Sequence, residues 1–351
     1  MASHGGGGGW PGGAGGIPPN PLGGGSLFGD GSYSGNVIQG GSVLLPVGGV
    51  LTVTGAATVA PDADTGACVV MCDTLVIDGA AASLQPSMNS KGLVVYAKTG
   101  IALLNGARLN IDKLGLAGSF GNLTAYSLTP ASIRRKLKTD AADAYGVLGE
   151  GAGGAPAIPG GYTNGSTGSA ATALQTGGGG SGGIRTAGGG SGGGAGKGGP
   201  CCGGAGGGAC YHGTAPVPSA SQAGDYGGPG GNAETTCGSG YTAGGGAGNP
   251  VGVNQPCGGS PGDGAGGGLL MLFAPAVQVA SGCIVSADGG NGGAGTAASG
   301  GGAGGGCVCI VTNSGGYTNS GTVRASGGTY GASSYNTGGA GGAGSVNTFT
   351  I

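Results

Sequence analysis

The sequence predicts an all-β protein: parallel β-solenoid-like coils combined with glycine-rich polyproline or polyglycine II helical layers, and one short α-helix. Three observations predict it. An apolar strand pattern repeats along the chain, the glycine tracts place other residues at every third position, and the composition is apolar without being charged. Of 351 residues 100 are glycine, 38% are hydrophobic and only 7% are charged, with a formal net charge of -2. A glycine-rich chain that stays unfolded combines high net charge with few apolar residues. This one does neither, so its glycines read as packed backbone in preference to flexible linker.

The organisation follows from the repeats. A glycine-rich segment (1–35) precedes a first solenoid part (36–112), an insertion with a short helix and a glycine-rich module (113–265), and solenoid repeats with glycine-rich tracts (266–351). Residues 92–112, GLVVYAKTGIALLNGARLNID, align without a gap on residues 268–288, GLLMLFAPAVQVASGCIVSAD. GGGLLMLFA beginning at Gly266 returns as GGGCVCIVT at Gly304, 38 residues on, and ADGG at Ala287 returns as ASGG at Ala325. A shorter copy is read at Leu75 to Gly79, giving about four units. Each unit alternates short apolar strands with Asn-Gly or Ser-Gly turns, and stacked units bury their apolar faces against neighbours. Val53, Val94, Leu103, Leu109, Leu269, Met271, Val285, Val311 and Val323 are the expected core. An antiparallel sandwich would need more hairpin turns than the sequence offers.

The insertion opens with the one expected helix. Thr129 is its N-cap and Pro130 its first residue, while Ile133, Leu137 and Tyr145 form an apolar side. Arg134, Arg135, Lys136 and Lys138 crowd it with positive charge, read as a solvated face or as a dock for an acidic partner.

Glycine tracts at a period of three come next. Asn291, Ala294, Ala297 and Ala303 fall on one such row, and so do Tyr226, Pro229 and Asn232, Pro11, Ala14 and Ile17, and Ala340 and Ala343. Three residues per turn is the polyproline II period, and helices with all-glycine faces approach closely enough to exchange backbone hydrogen bonds. Collagen is excluded by runs of four and five glycines and only 18 prolines. Residues 177–190 are where a flexible linker fits best.

The order of strand, Ser-Gly, Cys/Thr-Ile/Val, Ala-Asp/Ser-Gly-Gly and glycine tract resembles glycine-rich bacteriophage tail-fibre and adhesin proteins. The three-residue rows resemble the polyglycine II sandwich of some fibre tips. The resemblance covers residues 266–345 well, 50–112 moderately and the insertion by composition alone. It implies a non-enzymatic virion component of the tail or surface that assembles as a homo-oligomer with other virion proteins. Loops joining its glycine helices would contact a host surface polysaccharide or outer-membrane protein. A self-assembling virion or extracellular filament subunit without receptor activity is the alternative, and a flat ice-binding bundle a more distant one.

Composition narrows the chemistry further. Eleven Lys and Arg offer little to a phosphate backbone, so no nucleic-acid partner is expected. Residues 269–280 are too short to span a bilayer and are interrupted by Pro275 and Gln278, so no membrane insertion is expected. The start lacks a basic-then-apolar leader, which suggests release by lysis or a dedicated secretion route. No cofactor is expected.

Cys201, Cys202, Cys210 and His212 form CC-x7-C-x-H, a weak zinc alternative with unusual spacing. A disulfide involving Cys210, Cys237 or Cys257 and packed free thiols are the competing readings. Cys307 and Cys309 fall on one strand face over Leu269 and Met271, as core residues. Asp112 and Asp288 are repeat-equivalent carboxylates, but each sits at a strand end where a turn-forming Asp needs no catalytic role, and Asp263 is isolated. For recognition, Tyr211, Tyr226 and Tyr241 recur about every 15 residues in the insertion, as rings for sugar stacking or as clamps on the glycine layers.

Overall fold

Runs of Val, Ile, Leu and Thr closed by glycine-containing turns favour strands, because branched side chains pack well on a pleated surface. The computed structural model describes residues 28, 37–39, 43–47, 49–61, 66–116, 152–155, 161–186, 194–199, 201–212, 230–233, 240–249, 251–252 and 258–350. Among them there are strands and turns and no helix. The helix expected from Thr129 to Tyr145 lies outside the described residues.

In the first half the strands are β1 (Val37–Gln39), β2 (Val43–Val47), β3 (Val50–Val53), β4 (Ala56–Val59), β5 (Cys68–Asp78), β6 (Ser83–Pro86), β7 (Leu93–Leu104) and β8 (Arg108–Asn110). Short β9 (Tyr162–Thr163), β10 (Ile184–Thr186) and β11 (Cys210–His212) follow. The last part holds β12 (Leu269–Phe273), β13 (Val277–Val279), β14 (Ile284–Ser286), β15 (Cys307–Thr312), β16 (Tyr317–Asn319), β17 (Thr322–Arg324) and β18 (Ser345–Thr350).

Two large sheets result. The first runs β18-β15-β12-β7-β5-β3-β2, with β13 paired to β7 and β16, and the second runs β1-β4-β6-β8-β14-β17. Pairing is parallel except where β2 meets β3 and β1 meets β4. Each of the segments β3–β4, β5–β6, β7–β8, β12–β14 and β15–β17 places a strand in both sheets, beside the strands of the segment before it. The change of sheet is made by tight turns: Asn105 (φ 54) and Gly106 (φ 84) both take the left-handed conformation that an Asn-Gly pair tolerates, and Ala107 N–H closes the turn on the Leu104 carbonyl.

The repeat read from the sequence pairs in space. Leu269 and Met271 lie in register with Cys307 and Cys309, and Val285 lies between Leu109 and Val323. One detail differs from the ungapped alignment: Leu93 pairs with Leu270 and Val94 with Met271, whereas Ile101 pairs with Val277. β7 therefore holds one residue more than its neighbour between Tyr96 and Ile101.

The sheets enclose one core, to which Leu51, Ile77, Leu93 and Leu103 contribute from the first sheet and Leu84, Leu109 and Val285 from the second. The outer face of the first sheet is also covered: Val94, Tyr96, Leu269, Met271, Phe273 and Val311 form a second cluster with Leu174 and Cys201. Eight of the nine expected core residues are buried, and Val323 is half-buried against the core.

Glycine segments leave the second sheet and return to the first. Residues 287–299 lead out of β14 and residues 300–306 lead back into β15, joined where the N–H groups of Gly300, Ala303 and Gly306 donate to the carbonyls of Gly293, Gly290 and Ala287. Gly341 and Gly344 donate in the same way to Gly328 and Ala325, between β17 and β18.

Residues 176–183 run among these segments. Gly177, Gly180 and Gly183 donate to Gly305, Gly302 and Ser299, Gly178 and Ser181 donate to Ser169 and Ser166, and Gly179 donates to Gly196. Their carbonyls accept from Gly204, Gly207 and Cys210, from Gly342 and Gly339, and from Ala152 and Ala155. Donors to any one neighbour are three residues apart, and the segment is surrounded by six others. The linker reading therefore fails over residues 177–183, which are buried. A Cβ on Gly177, Gly180, Gly301 or Gly304 would lie under 3.0 Å from a backbone carbonyl of another segment, and none of these glycines has positive φ. Close approach is what requires glycine here.

Candidate functional site

The outer ends of the glycine segments meet where β9, β10 and β11 form a small sheet. Arg185 on β10 is opposite Tyr162 on β9 and Tyr211 on β11. Its guanidinium carbon lies 3.3 Å from the ring centroid of Tyr335, 5.4 Å from that of Tyr241 and 6.0 Å from that of Tyr162. Tyr241 and Tyr335 are themselves tilted neighbours, with centroids 6.1 Å apart. Contacts of this kind contribute about 0.5–2 kcal/mol each, so one cation ties together segments far apart in sequence.

Thr242 and Ser334, the chain neighbours of Tyr241 and Tyr335, line an open groove of about 410 Å³ with Ser260, Thr296, Ser333 and flanking Gly and Ala. Thr242 and Thr296 hold its wall by a reciprocal pair of bonds, each backbone N–H donating to the other's hydroxyl at 2.8 and 2.7 Å. The Tyr335 N–H donates to the Ser333 hydroxyl at 3.2 Å, which fixes the turn carrying the ring. The lining holds no carboxylate. Such a surface suits a hydroxylated ligand: rings to stack on, hydroxyls that both donate and accept, and one cation.

Of the three tyrosines expected to bind, Tyr241 is in this cluster. Tyr211 is placed by its backbone opposite Arg185, its side chain being outside the described residues, as is Tyr226. Sequence reasoning missed Tyr162, Arg185 and Tyr335. The period-three rows offered a signal for Tyr335, since it interrupts the last glycine tract at its turn.

The carboxylates do structural work. Asp112 accepts from the Asp288 N–H and the Ser286 hydroxyl, both at 2.7 Å, and Asp288 accepts from the Ser326 N–H and Arg324 Nε, again at 2.7 Å. The unit-to-unit spacing thus repeats as a ladder of capped turns. Burial pushes the Asp112 carboxyl above its usual range, against the pull of its two hydrogen bonds. Asp263 pairs with Lys113.

Cys201 belongs to the outer-face cluster, and Cys202 packs beside Gly268 and Gly115. Burial pushes the Cys202 thiol up to about 12 and Cys307 up to about 11, so both stay protonated and unreactive at neutral pH. Cys210 is buried on β11, while Cys237, Cys257 and the His212 side chain lie outside the described residues. Among the described residues, no three His, Cys, Asp or Glu side chains are grouped to hold a metal ion. Cys307 and Cys309 occupy the face expected of them. No protein-family profile, curated protein or solved structure matches the chain.

Proposed function

We propose that the chain is a non-enzymatic virion protein of the tail-fibre or adhesin type, with a β-solenoid carrying a rigid module of polyglycine II helices whose tip attaches to the host surface. The solenoid reading is supported by the five segments that each add a strand to both sheets. The polyglycine II reading is supported by the three-residue donor period and the six neighbours of residues 176–183. At about 3.1 Å per residue such a helix carries the tip about 20 Å beyond the strands over seven residues.

The observation that carries the functional reading is the cluster of Tyr162, Arg185, Tyr241 and Tyr335 beside a hydroxyl-lined groove, held at the end of that module. Rings left more than half exposed, as Tyr162 (65%) and Tyr335 (54%) are, give up burial that a purely structural clamp would take. Labelled protein is expected to bind intact cells of a susceptible bacterium saturably, to be displaced by excess unlabelled protein, and to lose about tenfold in affinity in Tyr162→Ala. Absent or non-saturable binding across a broad panel of bacteria would remove the attachment reading.

The alternative of a filament subunit draws on β18, which pairs only with β15 among the described residues and leaves Val346 exposed. Such an edge accepts a strand from a second copy.

A further inference from the structure

We propose that Arg185 is the anion-binding element of the tip, and that the ligand it takes is an acidic saccharide, a sugar carrying a carboxylate or phosphate; this rests on the attachment reading above. At 3.3 Å the guanidinium is in van der Waals contact with the Tyr335 ring. Its N–H donors lie in its own plane, so contact through the face consumes none of them. Among the described residues no carboxylate pairs with it: the ion pairs there are Lys113 with Asp263 and Arg324 with Asp288. No hydrogen bond from its guanidinium to a described residue is formed either.

Three rings restrict the rotamers of a long side chain, so much of the entropy normally lost when an arginine fork grips an anion is lost already on folding. The rings also displace water from one side of the cation, which strengthens its attraction for a charged ligand. The remaining surface selects a sugar over a protein loop. Five hydroxyl side chains line the groove, and its apolar side chains are only those of Ala294 and Ala332, too small to anchor a peptide side chain. A neutral sugar would use the rings and hydroxyls but leave Arg185 without a partner. An acidic sugar uses all three.

The test is titration calorimetry on the intact chain with oligogalacturonate, a neutral galacto-oligosaccharide of equal length, and glucose 6-phosphate. Wild type is expected to bind at least one of the two acidic probes about tenfold more tightly than the neutral one, with affinity falling as salt rises. Binding of glucose 6-phosphate alone assigns the site to phosphorylated sugars, and binding of oligogalacturonate alone to uronates. Arg185→Gln is expected to erase the preference while still folding cooperatively, at a melting temperature lowered only as far as the lost ring contacts account for. Should that variant lose its fold, Arg185→Lys keeps the charge and removes the fork, and its affinity for the acidic probe is expected to fall about threefold or more with the neutral probe unaffected. Equal affinity for acidic and neutral probes, binding of neither acidic probe, a preference retained in Arg185→Gln, or, where that variant does not fold, a preference undiminished in Arg185→Lys would overturn the proposal. Cell binding separates this from the broader reading: equal attachment by wild type and Arg185→Gln leaves attachment standing and removes the anion site.

Discussion

Gly301→Val is expected to abolish cooperative folding, or to lower the melting temperature more than any other substitution considered. A Cβ there would stand under 3.0 Å from the carbonyl of Gly180 and from Ser181, which belong to a segment hydrogen-bonded on all sides. Overpacking costs about 1–3 kcal/mol where side chains can yield. Here only backbone is available to move, and moving it breaks several bonds whose buried groups each cost about 1–3 kcal/mol unpaired. The sum exceeds about 5 kcal/mol, comparable with the whole stability of many domains. Gly315→Ala is the control: its φ of 74 is unfavourable for alanine, but nothing lies within 4 Å, so the cost is about 1–2 kcal/mol. Thermal melts of the two variants against wild type decide it. A Gly301→Val melt close to that of Gly315→Ala would mean the segments are not packed backbone to backbone.

The second large effect is expected in Phe273→Ala. Phe273 is fully buried on the outer face of β12, stacked on Tyr96 with centroids 4.9 Å apart and ring planes 14° from parallel. Removing the ring leaves a cavity between the first sheet and the cluster that includes Leu174 and Cys201, at a cost of about 3–5 kcal/mol. For a chain of this size that corresponds to roughly 5 °C in melting temperature. Because the cavity joins sheet to glycine segments, the loss is expected to appear in both together, as a single transition in the melt.

How much of this was legible varied with what each pattern encodes. The strand units at residues 92–112 and 268–288 were readable because Asn-Gly and Ser-Gly turns punctuate them, and the pairing of Cys307 and Cys309 with Leu269 and Met271 followed from the 38-residue repeat. The register of β12 on β7 was not readable. LLMLF and LVVYA are buried on both faces, so no polar alternation marks which residues face which core, and a one-residue slip costs the pattern nothing.

The glycine period was visible, but a row of glycines carries no side chain that could name its neighbours. The six segments around residues 176–183 come from across more than half the chain. The tip escaped notice for the same reason: Tyr162, Arg185, Tyr241 and Tyr335 are spread over 173 residues, and only the packing of bare backbone brings their rings together. Tyr241 was found because its spacing was regular; Arg185 had nothing in its local sequence to distinguish it.

Hydrogen exchange at single-amide resolution over residues 177–183 and 301–305 tests the central claim most directly, since glycines packed by shared backbone bonds must exchange slowly while linker glycines cannot. Protection within about tenfold of that in β7 and β12 is the predicted result. Exchange at the rates of an unstructured chain would contradict it, and would take the ordered tip away with it.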